Sequence, residues 1–365
     1  MHRTTLAVLV LLLATTAPAA GDYEPETVAE GLEHPWSLAF LPDGRKLVTE
    51  RAGRLRVIED GALLEKPVAG VPEAFVRSQG GLFEVLPDPD FEENQRIYLT
   101  LAHGSPRANR TRLVAGRLTD HRLEDVEVLF DSEPARSTPV HYGGRMTYLP
   151  DGTLVLGLGD GFDYREQAQD NANHLGTIVR LNPDGSVPED NPFVDDPDAR
   201  PEIYSYGHRN VQGLAFDVER EMLWQHEHGP RGGDELNRIE AGANYGWPAI
   251  THGIDYSGAR ISPFREMVGM ESPLIDWTPA IAPAGLTVYR GSMFPEWDGD
   301  LLIAGLVARA VIRVSVDEGR PEEVERLFSG LDARIRDVHT GPDGAIWLLT
   351  DHSDGRVIRV VDGGS

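Results

Sequence analysis

The chain has 365 residues, 39 glycines, 26 prolines, no cysteine and a formal net charge of -25. So acidic a surface argues against nucleic acid and anionic lipid as partners, and the missing cysteines exclude disulfides, thiolate metal sites, a cysteine nucleophile and a lipidated N-terminal cysteine. A hydrophobic content of 40% is ample for a core, and the heavy Gly and Pro punctuation predicts many short strands and turns rather than long helices.

The first twenty residues read as an export signal. His2 and Arg3 give a short basic start, Leu6 to Ala14 is an apolar run too short to span a bilayer as a stable helix, and Ala17-Pro-Ala19 supplies small residues for cleavage. The competing reading is a buried N-terminal helix, but nothing amphipathic follows. The expected organisation is a signal peptide over residues 1–20 and one domain over 21–365, periplasmic or secreted. No later apolar run is long enough to anchor the chain, so no membrane insertion is expected after signal removal.

From there one phrase recurs: an apolar pair, a Pro-Asp-Gly or its relative, then a hydrophobic strand. Phe40-Leu-Pro-Asp-Gly44 leads to Lys46–Thr49, Val85-Leu-Pro-Asp-Pro89 to Arg96–Thr100, and Tyr148-Leu-Pro-Asp-Gly152 to Thr153–Leu158. Ala215–Val218, Tyr289–Pro295 and Thr340-Gly-Pro-Asp-Gly344 introduce Met222–Trp224, Asp300–Ala304 and Ala345–Leu349. Repeats at intervals of about 45 residues or more are the mark of propeller blades with four strands each. A lone blade cannot bury both faces, so the blades must pack around an axis. Asn182–Arg200 and Thr251–Met270 are rich in Pro, Asp and Gly and read as loop insertions on one face. The fold class expected is all-β, a six-bladed β-propeller of four-stranded blades.

The loops between repeats hold polar residues that the fold does not require. Gln79-Gly-Gly-Leu82 precedes the second repeat, His141-Tyr-Gly-Gly-Arg-Met146 the third, His208-Arg-Asn210 the fourth and Ala333-Arg-Ile-Arg-Asp337 the sixth; Gly159-Asp160 follows the third repeat's strand. Loops at the same point of successive blades converge on the mouth of the central channel, so these residues would meet at one site. The stretch Leu223–Glu235 is a short apolar strand running through His226 and His228 into a break at Gly229-Pro230. The two carbonyl oxygens there have no evident ladder partner and suit a hard cation such as calcium. His226 and His228, two apart on a strand, would alternatively suit a transition metal, but no third ligand is evident.

In these pieces the chain is similar to the soluble glucose/sorbosone dehydrogenase family, also called soluble aldose sugar dehydrogenases. Members are six-bladed propellers that use pyrroloquinoline quinone (PQQ) and Ca2+. The resemblance rests on His34-Pro-Trp-Ser-Leu-Ala-Phe40, Gln79–Leu82, His141–Arg145, Arg209-Asn-Val-Gln-Gly-Leu214, Glu227-His-Gly-Pro230 with Asp234-Glu235, Asn244-Tyr-Gly-Trp-Pro248 and Arg334-Ile-Arg-Asp-Val338, in the family's order and across nearly the whole mature chain.

The resemblance implies an exported oxidoreductase that oxidises aldoses at the anomeric carbon to lactones, with hydride passing to calcium-bound PQQ and electrons to an acceptor the sequence does not name. His141 matches the general base, Asp160 the carboxylate that orients it, and Gln79 a residue touching cofactor or substrate. Arg209 and Asn210 match residues at the quinone, Arg334 and Arg336 the arginines at the cofactor's carboxylates and ring, and Gly229 and Pro230 the calcium-binding carbonyls. The substrate would be a small-molecule aldose and the assembly a monomer or homodimer. One departure stands out: where tightly binding members carry a lysine that meets a cofactor carboxylate, this chain has Val307, with Arg309 two positions on. Two rival readings follow, a metal-dependent lactonase-type propeller and a non-catalytic propeller that only binds a ligand or partner.

Overall fold

The computed structural model describes residues 23–364; the expected signal over 1–20 lies outside the described residues. Strands account for six four-stranded antiparallel sheets. Their innermost strands are Pro35–Phe40, Leu82–Pro87, Gly143–Tyr148, Val211–Asp217, Pro283–Val288 and Ile335–Thr340. Each inner strand packs on the next and the last returns to the first, so the sheets are the blades of a six-bladed propeller, as the repeat predicted.

The recurring phrase is the turn between the first and second strands of every blade. Its chemistry is local. Asp43, Asp151 and Asp343 each accept a hydrogen bond from the backbone N–H two residues on, at 3.0, 2.9 and 3.1 Å. The glycine between takes the left-handed conformation, with φ of 90° at Gly44 and 82° at Gly152. At these turns an aspartate that closes its own turn and a glycine that reverses the chain make the hairpin.

Second strands are buried along most of their length, and along all of it in Leu154–Leu158. Both faces of a blade lie against neighbouring blades, which is why these strands read as continuous apolar runs rather than alternating ones. Between the second and third blades, for example, Tyr98, Leu113 and Ala115 interleave with Met146, Leu154 and Leu156. Each fully buried aliphatic side chain of this kind contributes about 1.5–3 kcal/mol.

The sixth blade is completed by the start of the domain. Tyr23–Leu32 pairs antiparallel with Gly355–Asp362, from Tyr23 opposite Asp362 to Leu32 opposite Gly355. No sheet edge is then left between first and last blades, which removes a template for unwanted strand pairing.

One side chain ties the inner strands together. Arg145, on the third blade, is 4% exposed. It pairs with Glu84 of the second blade and Asp337 of the sixth, both at 3.1 Å. It donates to the carbonyls of Gln212 on the fourth blade at 3.0 Å and Trp36 on the first at 3.4 Å, and its guanidinium lies 4.0 Å from the Trp36 ring centroid. The fifth blade takes part by absence of a side chain: a Cβ on Gly285 would come 1.9 Å from Asp337 Oδ1. Below this cluster a 410 Å³ cavity, lined from all six inner strands, opens among the Asp-Gly turns.

Both long insertions join third to fourth strands, Asn182–Arg200 in the third blade and Thr251–Met270 in the fourth. The second one climbs back toward the other mouth of the channel, where Ile254 and Arg231 exchange backbone hydrogen bonds at 2.9 and 3.2 Å.

Candidate active site

The loops expected to converge do so. His141 sits just before the inner strand of the third blade with φ of 52°, a left-handed conformation that costs a non-glycine residue energy and is characteristic of functional sites. It is held there on three sides. Its N–H donates to Gln79 Oε1 at 2.8 Å, its carbonyl accepts from Arg136 Nη2 at 3.0 Å, and its ring Nδ1 lies 2.7 Å from Asp160 Oδ1. Gly159 allows this approach, since a Cβ there would come 2.1 Å from the His141 carbonyl oxygen.

Asp160 is itself braced. Oδ1 also accepts the Phe162 N–H at 2.7 Å, and Oδ2 accepts Trp247 Nε1–H at 2.8 Å. Burial raises its carboxyl, but His141, Arg209 and the Phe162 N–H together outweigh burial and hold it below the ordinary carboxylate range. Burial also pushes the His141 ring down, and Asp160 only partly restores it. At neutral pH the pair is therefore a carboxylate and a neutral imidazole whose Nδ1–H donates to Asp160. That tautomer leaves Nε2 as an acceptor, and Nε2 makes no hydrogen bond among the described residues.

Asn210 joins this group by accepting the Gly143 N–H at 3.2 Å. Arg209 reaches the other way, donating from Nη1 to the carbonyls of His228 at 2.9 Å and Gly229 at 2.6 Å, with its guanidinium 5.3 Å from the Trp247 ring centroid. The expectation that both carbonyls of Gly229-Pro230 lack a partner is thus half corrected. Gly229 O is capped by Arg209, while Pro230 O accepts nothing among the described residues. Asp234 fixes this loop by accepting the N–H groups of Gly229, Ile281 and Ala282 at 2.8, 2.8 and 2.7 Å. Burial nonetheless pushes its carboxyl up to about 6.

His226 and His228 form no metal pair. His226 is sealed against Gly213 and pushed down to about 3, by burial above all; the His228 ring lies 2.7 Å from the Pro283 carbonyl oxygen. No group of three or more His, Asp or Glu side chains among the described residues is arranged to hold a metal ion.

Arg334 and Arg336 share one carboxylate, Asp351 Oδ2, at 3.1 and 3.4 Å. They line a 240 Å³ cavity with Arg51, Asn210 and Val307. Arg51 makes no ion pair among the described residues. Burial pushes the Arg336 guanidinium down to about 10, Asp351 offsetting this only in part while Arg145, Arg334 and Arg51 add to it. The cavity thus holds three guanidiniums and one carboxylate, a surplus of positive charge, beside the aromatic walls Trp36, Phe83 and Tyr142. A 650 Å³ cavity that includes Gly229 and Pro230 adjoins it along His228, Ala282 and Val307. Val307 is 60% exposed in the shared wall. Arg309 does not replace the missing lysine: it turns away to Asp332 at 2.5 Å.

Sequence reasoning assigned no role to Trp247, Arg51 or Phe162. Trp247 lies inside a motif that was recognised, but its partner Asp160 is 87 residues away and no local signal joins them.

The sequence profile of the family described as Glucose / Sorbosone dehydrogenase matches residues 32–359. The aldose sugar dehydrogenase YliI of Escherichia coli K12 is 40% identical over 99% of both chains. The Synechocystis protein slr1608, which is uncharacterised, is 44% identical over 91% of this chain and 85% of its own. The PQQ-bound aldose sugar dehydrogenase of Streptomyces coelicolor superposes with a TM-score of 0.75 at 28% identity, covering 94% of this chain and all of the other.

Proposed function

The chain belongs to the glucose/sorbosone dehydrogenase family, and we propose that it oxidises aldose sugars at the anomeric carbon to lactones, using PQQ and Ca2+. The observation that carries the proposal is the braced His141–Asp160 pair opening beside a cavity with surplus cationic charge. When bound, PQQ would supply the electrophilic carbon that accepts hydride, and Ca2+ would polarise its carbonyl.

The chain's own residues do the rest. His141 Nε2 takes the proton of the anomeric hydroxyl, and Asp160 stabilises the imidazolium that results and fixes its tautomer. Gln79 sets the backbone position of the base and keeps its amide nitrogen for a ligand. Asn210 and Arg209 would lie at the quinone, where Arg209 would stabilise negative charge as it develops. Arg334 and Arg336 hold cofactor carboxylates. Pro230 O would be open to a calcium ion, and Gly229 O could join it only by giving up the hydrogen bond it accepts from Arg209.

The expected export signal makes the protein periplasmic or secreted in this reading, as a monomer or homodimer that passes electrons to a separate acceptor. The lactonase-type alternative needs converging side-chain carboxylates and amides, whereas the donors here are backbone carbonyls. The binding-only alternative keeps one observation in its favour, Val307. The test is dye-linked oxidation of aldoses by protein made in a host without PQQ. Activity should be absent, and PQQ with Ca2+ should restore it. Sugar-dependent dye reduction that added PQQ leaves unchanged would rule the mechanism out.

A further inference from the structure

Arg136 is only 2% exposed in the segment that leads to His141, yet among the described residues it has no carboxylate partner. Its Nε donates to nothing there, and burial pushes the guanidinium down to about 10, which Tyr142 and Asp160 only partly offset. A charge taken out of water without an anion destabilises a fold, so a neutral side chain of similar length would serve packing better. What the guanidinium does contact is the base. Nη2 donates to the His141 carbonyl at 3.0 Å, and the ring of Tyr142, the next residue, lies 4.5 Å from the guanidinium.

The chain around it is pinned from several sides. Arg136 and Asn109 exchange backbone hydrogen bonds, both at 2.8 Å, and Asn109 Oδ1 accepts the Tyr142 hydroxyl at 2.6 Å. Thr138 Oγ1 donates to the Gly161 carbonyl at 2.6 Å, and the Pro139 carbonyl accepts the Gln79 N–H at 3.1 Å. The Arg136 side chain runs against Gly161, where a Cβ would come 2.4 Å from its Cδ. The His141 carbonyl is thus caught between Gly159 and Arg136 Nη2, at a residue strained by its φ of 52°. We propose that Arg136 is a positioning residue for the base: its guanidinium holds the His141 carbonyl so that the strained turn persists and the ring stays on Asp160 with Nε2 free. The proposal rests on the dehydrogenase reading above, which makes Nε2 the proton acceptor.

The same charge acts on the ring. The charged groups that bear on His141 are Asp160, which favours the imidazolium, and Arg209 and Arg136, which oppose it. Arg209 is the cation expected at the quinone, whereas Arg136 is fixed between Asn109 and Gly161. Removing the Arg136 charge therefore raises the ring toward its ordinary value.

The first measurement needs neither cofactor nor sugar. It is an NMR titration of ring-labelled histidine, with the His141 signal assigned by its loss in His141→Gln. Arg136→Met should move the His141 midpoint up, and Arg136→Lys, which keeps the charge, should leave it closer to that of the parent. The second measurement is turnover with PQQ and Ca2+. Arg136→Met should lower kcat about 10- to 100-fold, the worth of a hydrogen bond from a charged group, with KM little changed and the acid midpoint of kcat moved up. Arg136→Lys should recover part of the rate. If Arg136→Met does not fold, Arg136→Gln carries the same expectations. A neutral variant that keeps the parent's kcat and His141 midpoint overturns the proposal. So does one that loses urea stability and kcat together while the His141 midpoint stays put, since the guanidinium would then only pack the loop. A raised midpoint in a protein that oxidises no aldose supports the hold of Arg136 on His141 and sinks the dehydrogenase reading instead.

Discussion

Arg145, buried at the waist of the channel, and Arg336, nearly buried at its mouth, are arginines on inner strands, in contact through the Arg336 carbonyl at 3.2 Å. Their surroundings are opposite. Arg145 is paired with two carboxylates and several carbonyls, one of the carboxylates shared with His339, and those charges outweigh burial and raise its guanidinium. Arg336 shares a single carboxylate with Arg334 and His34, and burial pushes it down. The waist is electrostatically complete and needs nothing more. The mouth keeps more positive than negative charge, so the two arginines differ in what surrounds them more than in burial.

The contrast breaks most visibly at Arg145. Arg145→Met leaves Glu84 and Asp337 buried without their cation, and a loss of about 3–5 kcal/mol is expected in urea unfolding. A variant as stable as the parent would mean that the waist is held by packing alone. At the mouth the large effect is on rate. His141→Ala should lower turnover about 10²- to 10⁴-fold while the unfolding midpoint and PQQ binding persist. Near-normal turnover at saturating sugar would remove His141 as the base.

Arg336→Gln sharpens the comparison. Cofactor affinity should fall about 10- to 100-fold, the worth of a charged hydrogen bond, whereas stability should hold or rise because an underpaired charge has gone. Val307→Lys should move affinity the other way by a similar factor, and Arg309→Ala should leave it unchanged; fluorescence titration with PQQ at fixed calcium reads all three. The smallest effect is in pH. The His141 ring is lowered from its ordinary value of 6.5, so its neutral form survives further into acid. Falling activity on acidification should therefore have a midpoint below 6.5, and Asp160→Asn, which removes the raising influence, should shift it lower still. A midpoint above 6.5 in the parent would contradict the burial of the ring.

How much of this was legible in sequence follows from the range of each interaction. The blade turns could be read because Asp151 bonds to Thr153 and Gly152 turns the chain, all within three residues. The site loops could be read because each carries its own short motif. Arg145 also stood in a motif, yet its purpose is fixed by Glu84, 61 residues before it, and by Asp337, far down the chain. Arg209 capping Gly229 O, and Arg309 turning to Asp332, are choices among several partners of like charge that only three-dimensional proximity decides.

The strand Tyr23–Leu32 sets the longest loop in the fold. It pairs only with Gly355–Asp362, a separation of 339 residues from Tyr23 to Asp362 (362 − 23). Loop-closure entropy grows only with the logarithm of length, so bringing these ends together costs little more than a loop of half that size. The ring is thus joined by two segments that lie at opposite ends of the described chain, and a protein cut short before Gly355 would leave Tyr23–Leu32 without a partner and one edge of Ile346–Thr350 bare.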